Sequence, residues 1–171
     1  MNVANLITFI RILCVPLLIY LIFHYPSSVY LRILFSICML SDFLDGLIAR
    51  SFKLKTTIGS ILDPMADKIF LLSLFISFAI LQKIPMWLLV IILTRDTIIV
   101  FGWLTIYLLT RTKTVIINYS GKLTIFFEMF SLFFIIFNLP YQSILFYFTA
   151  VTALYSTFDY CLKGAKQITN L

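Results

Sequence analysis

Apolar residues fill six long stretches of the chain, and short polar stretches separate them. Each stretch is about 20 residues long, the length that an α-helix needs to cross a bilayer. The stretches are continuously apolar rather than alternating, which favours helices over strands. Turn-forming residues stand between them, as at residues 25–28, 82–85 and 138–140. The predicted transmembrane helices cover residues 6–24, 29–50, 60–82, 85–109, 119–138 and 142–162.

The composition agrees with a membrane protein. The chain has 171 residues, of which 62% are hydrophobic and 12% charged, far from the average of soluble proteins. We therefore predict an all-α integral membrane protein with one domain that covers residues 1–171.

The net charge of +6 comes from basic residues at the ends of apolar stretches. Anionic lipid headgroups are therefore the expected partners, and nucleic acid is not. Most basic residues near span ends lie on one predicted side, and only Arg32 and Lys83 lie on the other. By the positive-inside rule both termini are cytoplasmic, and a bacterial-type inner membrane is the expected location. The one-sided set is Arg50, Lys53, Lys55, Arg111, Lys113, Lys163 and Lys166.

Four of the seven acidic residues lie in one segment, as Asp42, Asp45, Asp63 and Asp67. A carboxylate deep in a bilayer costs roughly 2.5–3.5 kcal/mol, so their grouping needs a reason. At about 100° per residue, Asp42 and Asp45 share one face of the second helix. Asp63 and Asp67 share one face of the third helix with Gly59. A short basic loop joins these helices, so we expect two acidic faces to meet at their cytoplasmic ends.

Like charges at such a place repel, so either some carboxylates are protonated or cations lie between them. Carboxylate oxygens are the usual ligands of Mg²⁺ or Mn²⁺, and a two-metal site is typical of phosphoryl transfer. Gly46, Ala49 and Gly59 either leave this face open to a ligand or allow close helix packing. Arg50 either binds a phosphate or anchors the cytoplasmic end. A different class, a divalent-cation or proton transporter, also uses intramembrane carboxylates, but no inverted repeat is visible.

Eight of these positions resemble the signature of the CDP-alcohol phosphotransferase family, Asp-x2-Asp-Gly-x2-Ala-Arg-x8-Gly-x3-Asp-x3-Asp. Every interval is intact over 26 residues, which makes the resemblance specific. The matching residues are Asp42, Asp45, Gly46, Ala49, Arg50, Gly59, Asp63 and Asp67.

The resemblance implies an enzyme with two Mg²⁺ or Mn²⁺ ions, held by Asp42, Asp45, Asp63 and Asp67, and Asp67 would also be the catalytic base. It implies that an alcohol attacks the phosphorus next to the diacylglycerol of CDP-diacylglycerol, and that CMP leaves. It also suggests a homodimer. The residues implied at the nucleotide and diphosphate are Gly46, Ala49, Arg50 and Gly59.

The sequence indicates the acceptor alcohol less clearly than it indicates the donor and the metal site. The start of the chain, NLITFIRILCVPLL, resembles the glycerophospholipid branch, which contains phosphatidylglycerophosphate synthases and cardiolipin synthases. Phosphatidylglycerophosphate synthases usually have cations where this chain has Gly102 and Thr124. Their loss slightly favours phosphatidylglycerol as acceptor, with glycerol 3-phosphate as the alternative. The candidate acceptor or phosphate-binding residues are Arg11, Arg95, Asp96 and Lys122.

Three of these acceptor candidates have a second interpretation. Arg11 either borders the site or extends its charge to the membrane surface. Arg95 and Asp96 either contact the acceptor or neutralise each other within the membrane. Glu128 and Asp159, the remaining acidic residues of the later spans, either line the acceptor pocket or pair with a nearby cation.

Overall fold

A computed structural model describes residues 3–52, 59–110 and 119–169, with the side chains of residues 12–41, 67–105, 108 and 119–166. Within these ranges the chain forms six α-helices and no strand, as the apolar pattern predicts. The helices are α1 (Val3–His24), α2 (Val29–Phe52), α3 (Gly59–Ile80), α4 (Met86–Thr110), α5 (Tyr119–Ile136) and α6 (Gln142–Thr169).

The helix bounds lie within three residues of the predicted ones, except that α6 continues well past residue 162. That extension contains Lys163 and Lys166. These polar residues end the predicted apolar span, but the helix itself continues past them. Among the described residues, two helical segments are long and apolar enough to cross a membrane, Met86–Thr105 and Tyr119–Ile136. Two further apolar segments are shorter, Ile12–His24 and Val29–Ser41. Six membrane crossings and cytoplasmic termini stay predictions.

The chain divides into two compact units, unit 1 (Met1–Lys83) and unit 2 (Ile84–Leu171). In unit 1, α1 packs against both α2 and α3. The side chains of Leu18, Leu31, Phe35 and Phe70 are almost completely buried in its core. The Phe35 ring of α2 stacks on the Phe70 ring of α3, with 6.4 Å between their centroids. This contact places the first third of α2 beside the middle of α3.

In unit 2, α6 packs against both α4 and α5. Hydroxyl groups line the contact between α5 and α6. The hydroxyl of Thr124 donates to the carbonyl of Thr152 (3.0 Å), and the hydroxyls of Ser131 and Thr149 share a hydrogen bond (2.9 Å). Small hydroxyl residues are common where membrane helices meet, because they allow close approach and pair across the interface.

Two helices end in the same way although neither has a glycine there. Gln82 and Asn138 have φ values of 57° and 51°, in the left-handed region. After α3, the amide of Gln82 donates to the carbonyl of Ala79 and that of Lys83 to Phe78; equivalent bonds follow α5. This is the Schellman arrangement, which satisfies carbonyls that a helix end leaves without partners. It confirms the turns predicted before Pro85 and Pro140.

Candidate functional site

The eight signature positions lie on two continuous helices. Because α2 extends to Phe52, Asp42 and Asp45 are separated by one helical turn, and Gly46, Ala49 and Arg50 follow on the same helix. Gly59 is the first residue of α3, and Asp63 and Asp67 come one and two turns later. Of these eight, only Asp67 has a side chain in the described part of the structure. The helical spacing on which the site prediction depends is therefore present.

The helices α2 and α3 run antiparallel. Phe52 is seventeen residues beyond Phe35 and Gly59 eleven residues before Phe70, which is about 26 Å and about 17 Å of helix. If the helices were parallel at the Phe35–Phe70 contact, Phe52 and Gly59 would be about 40 Å apart. The residues between them reach at most about 25 Å. The end of α2 and the start of α3 therefore lie on the same side of the ring contact.

This arrangement brings the acidic stretches of both helices to one end of unit 1. Asp42 lies two turns beyond Phe35 on α2, and Asp63 lies two turns before Phe70 on α3. The side chain of Asp67 is half-buried, one turn from Phe70. Among the residues whose side chains are described, no three His, Cys, Asp or Glu side chains are close enough to hold a metal. Three of the four predicted ligands are outside that set, so the metal site stays a prediction.

Arg95 lies in the core of unit 2, where its charge is held by two carboxylates. Only 4% of its side chain is exposed. One guanidinium nitrogen, Nη1, donates to Asp96 Oδ1 (3.1 Å) and to Glu128 Oε1 (3.5 Å), and Nη2 donates to the carbonyl of Gly121 (3.3 Å). A buried charge is tolerated only when it is paired in this way. The geometry thus matches the self-neutralising interpretation of Arg95 and Asp96, and an acceptor-binding role for either stays a prediction.

Glu128 and Asp159 both pair with cations, which matches one of the two roles left open for them, and a place in the acceptor pocket stays a prediction. Glu128 pairs with Arg95, as described above. Asp159 Oδ2 accepts hydrogen bonds from the ammonium group of Lys163 (2.8 Å) and from the Ser120 hydroxyl (2.9 Å). The second pair has a sequence signal, because Lys163 follows Asp159 by four residues on one helix. The Arg95–Glu128 pair has only a weak signal, opposite charges in the middle of different predicted spans.

The remaining acceptor candidates differ in what the structure describes. Arg11 lies on α1, but its side chain is outside the described set. The side chain of Lys122 is exposed, and its ammonium group lies 5.5 Å from the centre of the Tyr119 ring, within the range of a cation–π interaction. Among the unit 2 candidates whose side chains are described, Lys122 is therefore the most exposed.

Gly102 allows a close contact that sequence reasoning missed. A Cβ added at this position would lie 2.8 Å from Cε1 of Tyr160, a separation that real Cβ atoms essentially never show. Tyr160 is buried, so its ring occupies the space where a side chain at residue 102 would begin. An arginine at this position would have to displace Tyr160.

Comparison with known proteins places the whole arrangement in one family. The family profile described as CDP-alcohol phosphatidyltransferase matches residues 1–155. A CDP-diacylglycerol–glycerol-3-phosphate 3-phosphatidyltransferase from Aquifex aeolicus is 33% identical over 98% of both chains. A probable phosphatidylglycerophosphate synthase from Mycobacterium tuberculosis is 34% identical over 56% of this chain and 48% of its own length. A cardiolipin synthase (CMP-forming) from Rattus norvegicus is 38% identical over 58% of this chain and 33% of its own length.

These relatives carry names from the glycerophospholipid branch, the branch that the start of the chain predicts. The matched residues run across the boundary between the two units. The intact eight-position signature, the antiparallel helices that carry it and the match over most of the chain agree with one another. The chain belongs to the CDP-alcohol phosphatidyltransferase family.

Proposed function

We propose that the chain transfers a phosphatidyl group from CDP-diacylglycerol to a glycerol-type alcohol, with release of CMP, in phospholipid biosynthesis. The observation that carries this proposal is the intact signature on α2 and α3 in a chain of this family. The donor has an anionic nucleotide headgroup and two acyl chains. An acidic, metal-binding end of a membrane helix pair suits both parts of this molecule.

The metal site would consist of Asp42, Asp45, Asp63 and Asp67. Their chemistry fits Mg²⁺ or Mn²⁺, because hard divalent cations prefer carboxylate oxygens. The antiparallel run of α2 and α3 from the Phe35–Phe70 contact supports the proximity of these four residues. Two bound ions would neutralise the carboxylates and polarise the phosphoryl oxygens of the donor.

The other signature residues would bind and orient the donor. Gly46, Ala49 and Gly59 have side chains too small to cover the acidic faces, so the nucleotide can approach the helix backbone. The planar guanidinium of Arg50 suits a diphosphate, which it can bind with two parallel hydrogen bonds. Asp67 would take the proton from the acceptor hydroxyl as that oxygen attacks phosphorus, and CMP is the leaving group.

We favour phosphatidylglycerol as the acceptor. Glycerol 3-phosphate is a dianion and needs several cations in its pocket. The charge of Arg95 is already held by Asp96 and Glu128, and Tyr160 fills the space next to Gly102. The alternative acceptor is glycerol 3-phosphate, which is supported by the name of the Aquifex aeolicus relative that matches along 98% of its length.

We also propose a domain organisation, a membrane orientation and an assembly for the protein. Both units would form one membrane-embedded domain, since the family match covers parts of each. The excess of basic residues on one predicted side supports six crossings, cytoplasmic termini and an active site that faces the cytoplasm of a bacterial-type inner membrane. A homodimer is the expected assembly.

An assay of the full-length protein in detergent micelles tests the reaction and the acceptor together. The protein is stripped of metal with EDTA, supplied with Mg²⁺ or Mn²⁺, and mixed with CDP-diacylglycerol and either acceptor. We expect metal-dependent CMP release with one acceptor, and thin-layer chromatography identifies the lipid product. If folded protein releases no CMP with either acceptor and either metal, the proposal is wrong. CMP release that persists in EDTA would overturn the metal site alone.

A further inference from the structure

Two neighbouring helices hold consecutive residues at the start of α5. From α4, the guanidinium nitrogen Nη2 of Arg95 donates to the carbonyl of Gly121 (3.3 Å). From α6, the carboxylate of Asp159 accepts a hydrogen bond from the hydroxyl of Ser120 (2.9 Å). Lys122 follows directly, as the fourth residue of α5. The first turn of α5 is therefore held from two sides, immediately before a lysine that is a candidate for acceptor binding.

Both of the side chains that hold this turn are themselves fixed. The side chain of Arg95 is 4% exposed, and its other terminal nitrogen, Nη1, donates to the carboxylate of Glu128 (3.5 Å). Asp159 also accepts a hydrogen bond from the ammonium group of Lys163 (2.8 Å), through the same oxygen, Oδ2. Because neither side chain is free to swing away, both contacts restrain the backbone of α5.

The position of the Lys122 charge depends on the backbone of this turn. Helix ends fray, and a lysine has a long, flexible side chain. The side chain of Lys122 is exposed, and its ammonium group lies 5.5 Å from the centre of the Tyr119 ring, in the same turn. Both members of this cation–π contact thus belong to the turn that is held at Ser120 and Gly121. Loosening the turn would displace the charge together with its aromatic support.

We propose that Ser120 and Arg95 are positioning residues for Lys122, whose ammonium group would contact the phosphate of the acceptor. This role rests on the proposed function, because it takes Lys122 as part of the acceptor site. Ser120 acts through its hydrogen bond to Asp159, and Arg95 acts from the core through the carbonyl of Gly121. A fixed first turn reduces the entropy that the ammonium group loses when the acceptor binds.

Steady-state kinetics of the full-length protein in mixed micelles tests the contact from α6 with Ser120→Ala. The acceptor is phosphatidylglycerol, or glycerol 3-phosphate if the assay above identifies it, and CDP-diacylglycerol and metal are saturating. We expect the KM for the acceptor to rise about five-fold, the effect of one hydrogen bond. The kcat and the KM for CDP-diacylglycerol should stay unchanged. Lys122→Gln should raise the KM for the acceptor by about ten-fold or more, because a contact of a charged group is lost.

The double variant Ser120→Ala/Lys122→Gln distinguishes positioning from direct contact. A residue that acts only through Lys122 has no further effect once the ammonium group is gone. The double variant should therefore have the same KM for the acceptor as Lys122→Gln alone. A further rise of about five-fold would make Ser120 an independent contact and would overturn the proposal. So would a Lys122→Gln variant with the KM of the wild type.

Arg95→Lys tests the contact from α4. Lysine keeps a positive charge beside Glu128, but its single nitrogen cannot also replace the planar fork that reaches Gly121. The KM for the acceptor should again rise about five-fold, and only in protein that retains Lys122. Ser120→Ala removes no charge, so it keeps the proposal testable if Arg95→Lys does not fold. Circular dichroism checks the fold of each variant.

Ser131→Ala is the matched control. Ser131 is also a serine of α5 whose hydroxyl bonds to α6, at Thr149 (2.9 Å), but it lies about 16 Å farther along the helix than Ser120. Thr149 keeps a hydrogen bond to the carbonyl of Leu145 in this variant, just as Asp159 keeps Lys163 in Ser120→Ala. The KM for the acceptor should be that of the wild type. A rise equal to that of Ser120→Ala would attribute the effect to general loosening of helix packing and would overturn the proposal.

Hydrogen–deuterium exchange tests the same restraint without turnover. The amides of residues 123–125 donate to the carbonyls of residues 119–121 in a regular helix. They should exchange faster in Ser120→Ala than in wild type, and at the wild-type rate in Ser131→Ala. Unchanged exchange in Ser120→Ala would overturn the positioning role. Wild-type protein that releases no CMP would overturn the proposed function and this role with it, whereas an active Ser120→Ala variant with the wild-type KM for the acceptor would overturn the positioning role alone.

Discussion

Unit 1 contains four of the seven acidic residues of the chain, and unit 2 contains the other three. In unit 2 each carboxylate is within salt-bridge distance of a cation: Asp96 and Glu128 pair with Arg95, and Asp159 pairs with Lys163. In unit 1 the acidic residues follow one another at helical intervals on α2 and α3. The Arg95–Glu128 pair joins two helices of unit 2, whereas the repeated carboxylates of unit 1 are the predicted ligands of bound cations.

The comparison also separates substitutions that lower stability from substitutions that lower the reaction rate. A buried ion pair is expensive to break, because the partner left behind is an unpaired charge in a medium of low dielectric. Replacing a catalytic carboxylate lowers the reaction rate rather than the stability of the fold, because its role is to accept a proton during the reaction. Substitutions in unit 1 and unit 2 should therefore affect different measurements.

The largest expected effect is on the rate, from Asp67→Asn in unit 1. The amide has the same shape as the carboxylate but cannot act as a base, so CMP release should fall by about 10³-fold. Melting followed by circular dichroism should change little. A variant that keeps more than a tenth of the activity would exclude Asp67 as the base.

The matched substitution in unit 2 is Glu128→Gln, which also replaces an acid by its amide. It should lower the melting temperature, since a charge-assisted contact of buried Arg95 is lost. CMP release should fall only in proportion to the folded fraction. If Glu128→Gln abolishes turnover in folded protein, the distinction between the two units fails.

A strong effect on stability is expected from Arg95→Met. The substitution leaves Asp96 and Glu128 near each other with no guanidinium between them, and should cost about 3–5 kcal/mol in the free energy of unfolding. Neutralising both acids as well, in Arg95→Met/Asp96→Asn/Glu128→Gln, should restore part of this loss. Titration with SDS in mixed micelles measures both. Equal stability of the single and triple variants would show that charge imbalance is not the cause.

The smallest effect concerns the helix ends that the two units share. Gln82 has a left-handed conformation that costs a residue with a Cβ roughly 1–2 kcal/mol. After the entropic cost of glycine, Gln82→Gly should stabilise unit 1 by about 0.5–1 kcal/mol. Asn138→Gly, the equivalent change in unit 2, should have less effect, because asparagine tolerates this conformation. The same SDS titration compares them, and a larger gain at Asn138 would contradict the explanation.

The helices could be predicted from the sequence because the membrane signal is a matter of length and apolar content. The bounds agree within three residues at every end but one, the end of α6. There the residues after 162 are polar, and hydropathy marks the end of an apolar stretch rather than the end of hydrogen bonding. The turns at Gln82 and Asn138 were equally predictable, since a proline soon follows each of them.

The partners of single charges could not be predicted in the same way. Arg95 and Glu128 are thirty-three residues apart, and only the packing of α4 and α5 against α6 brings them together. The tight contact of Gly102 with Tyr160 is of the same kind. Such pairs depend on the rotation of each helix about its axis, which a nearly uniform apolar surface does not specify.

The sequence by itself determined the helices, the spacing of the eight signature residues and the family, because these depend on local periodicity and fixed intervals. The tertiary structure alone decided that Arg95, Asp96 and Glu128 form one cluster and that Tyr160 occupies the space beside Gly102. The physical reason is that these features depend on how helices pack side by side, and contacts between distant parts of a chain leave little trace in local sequence.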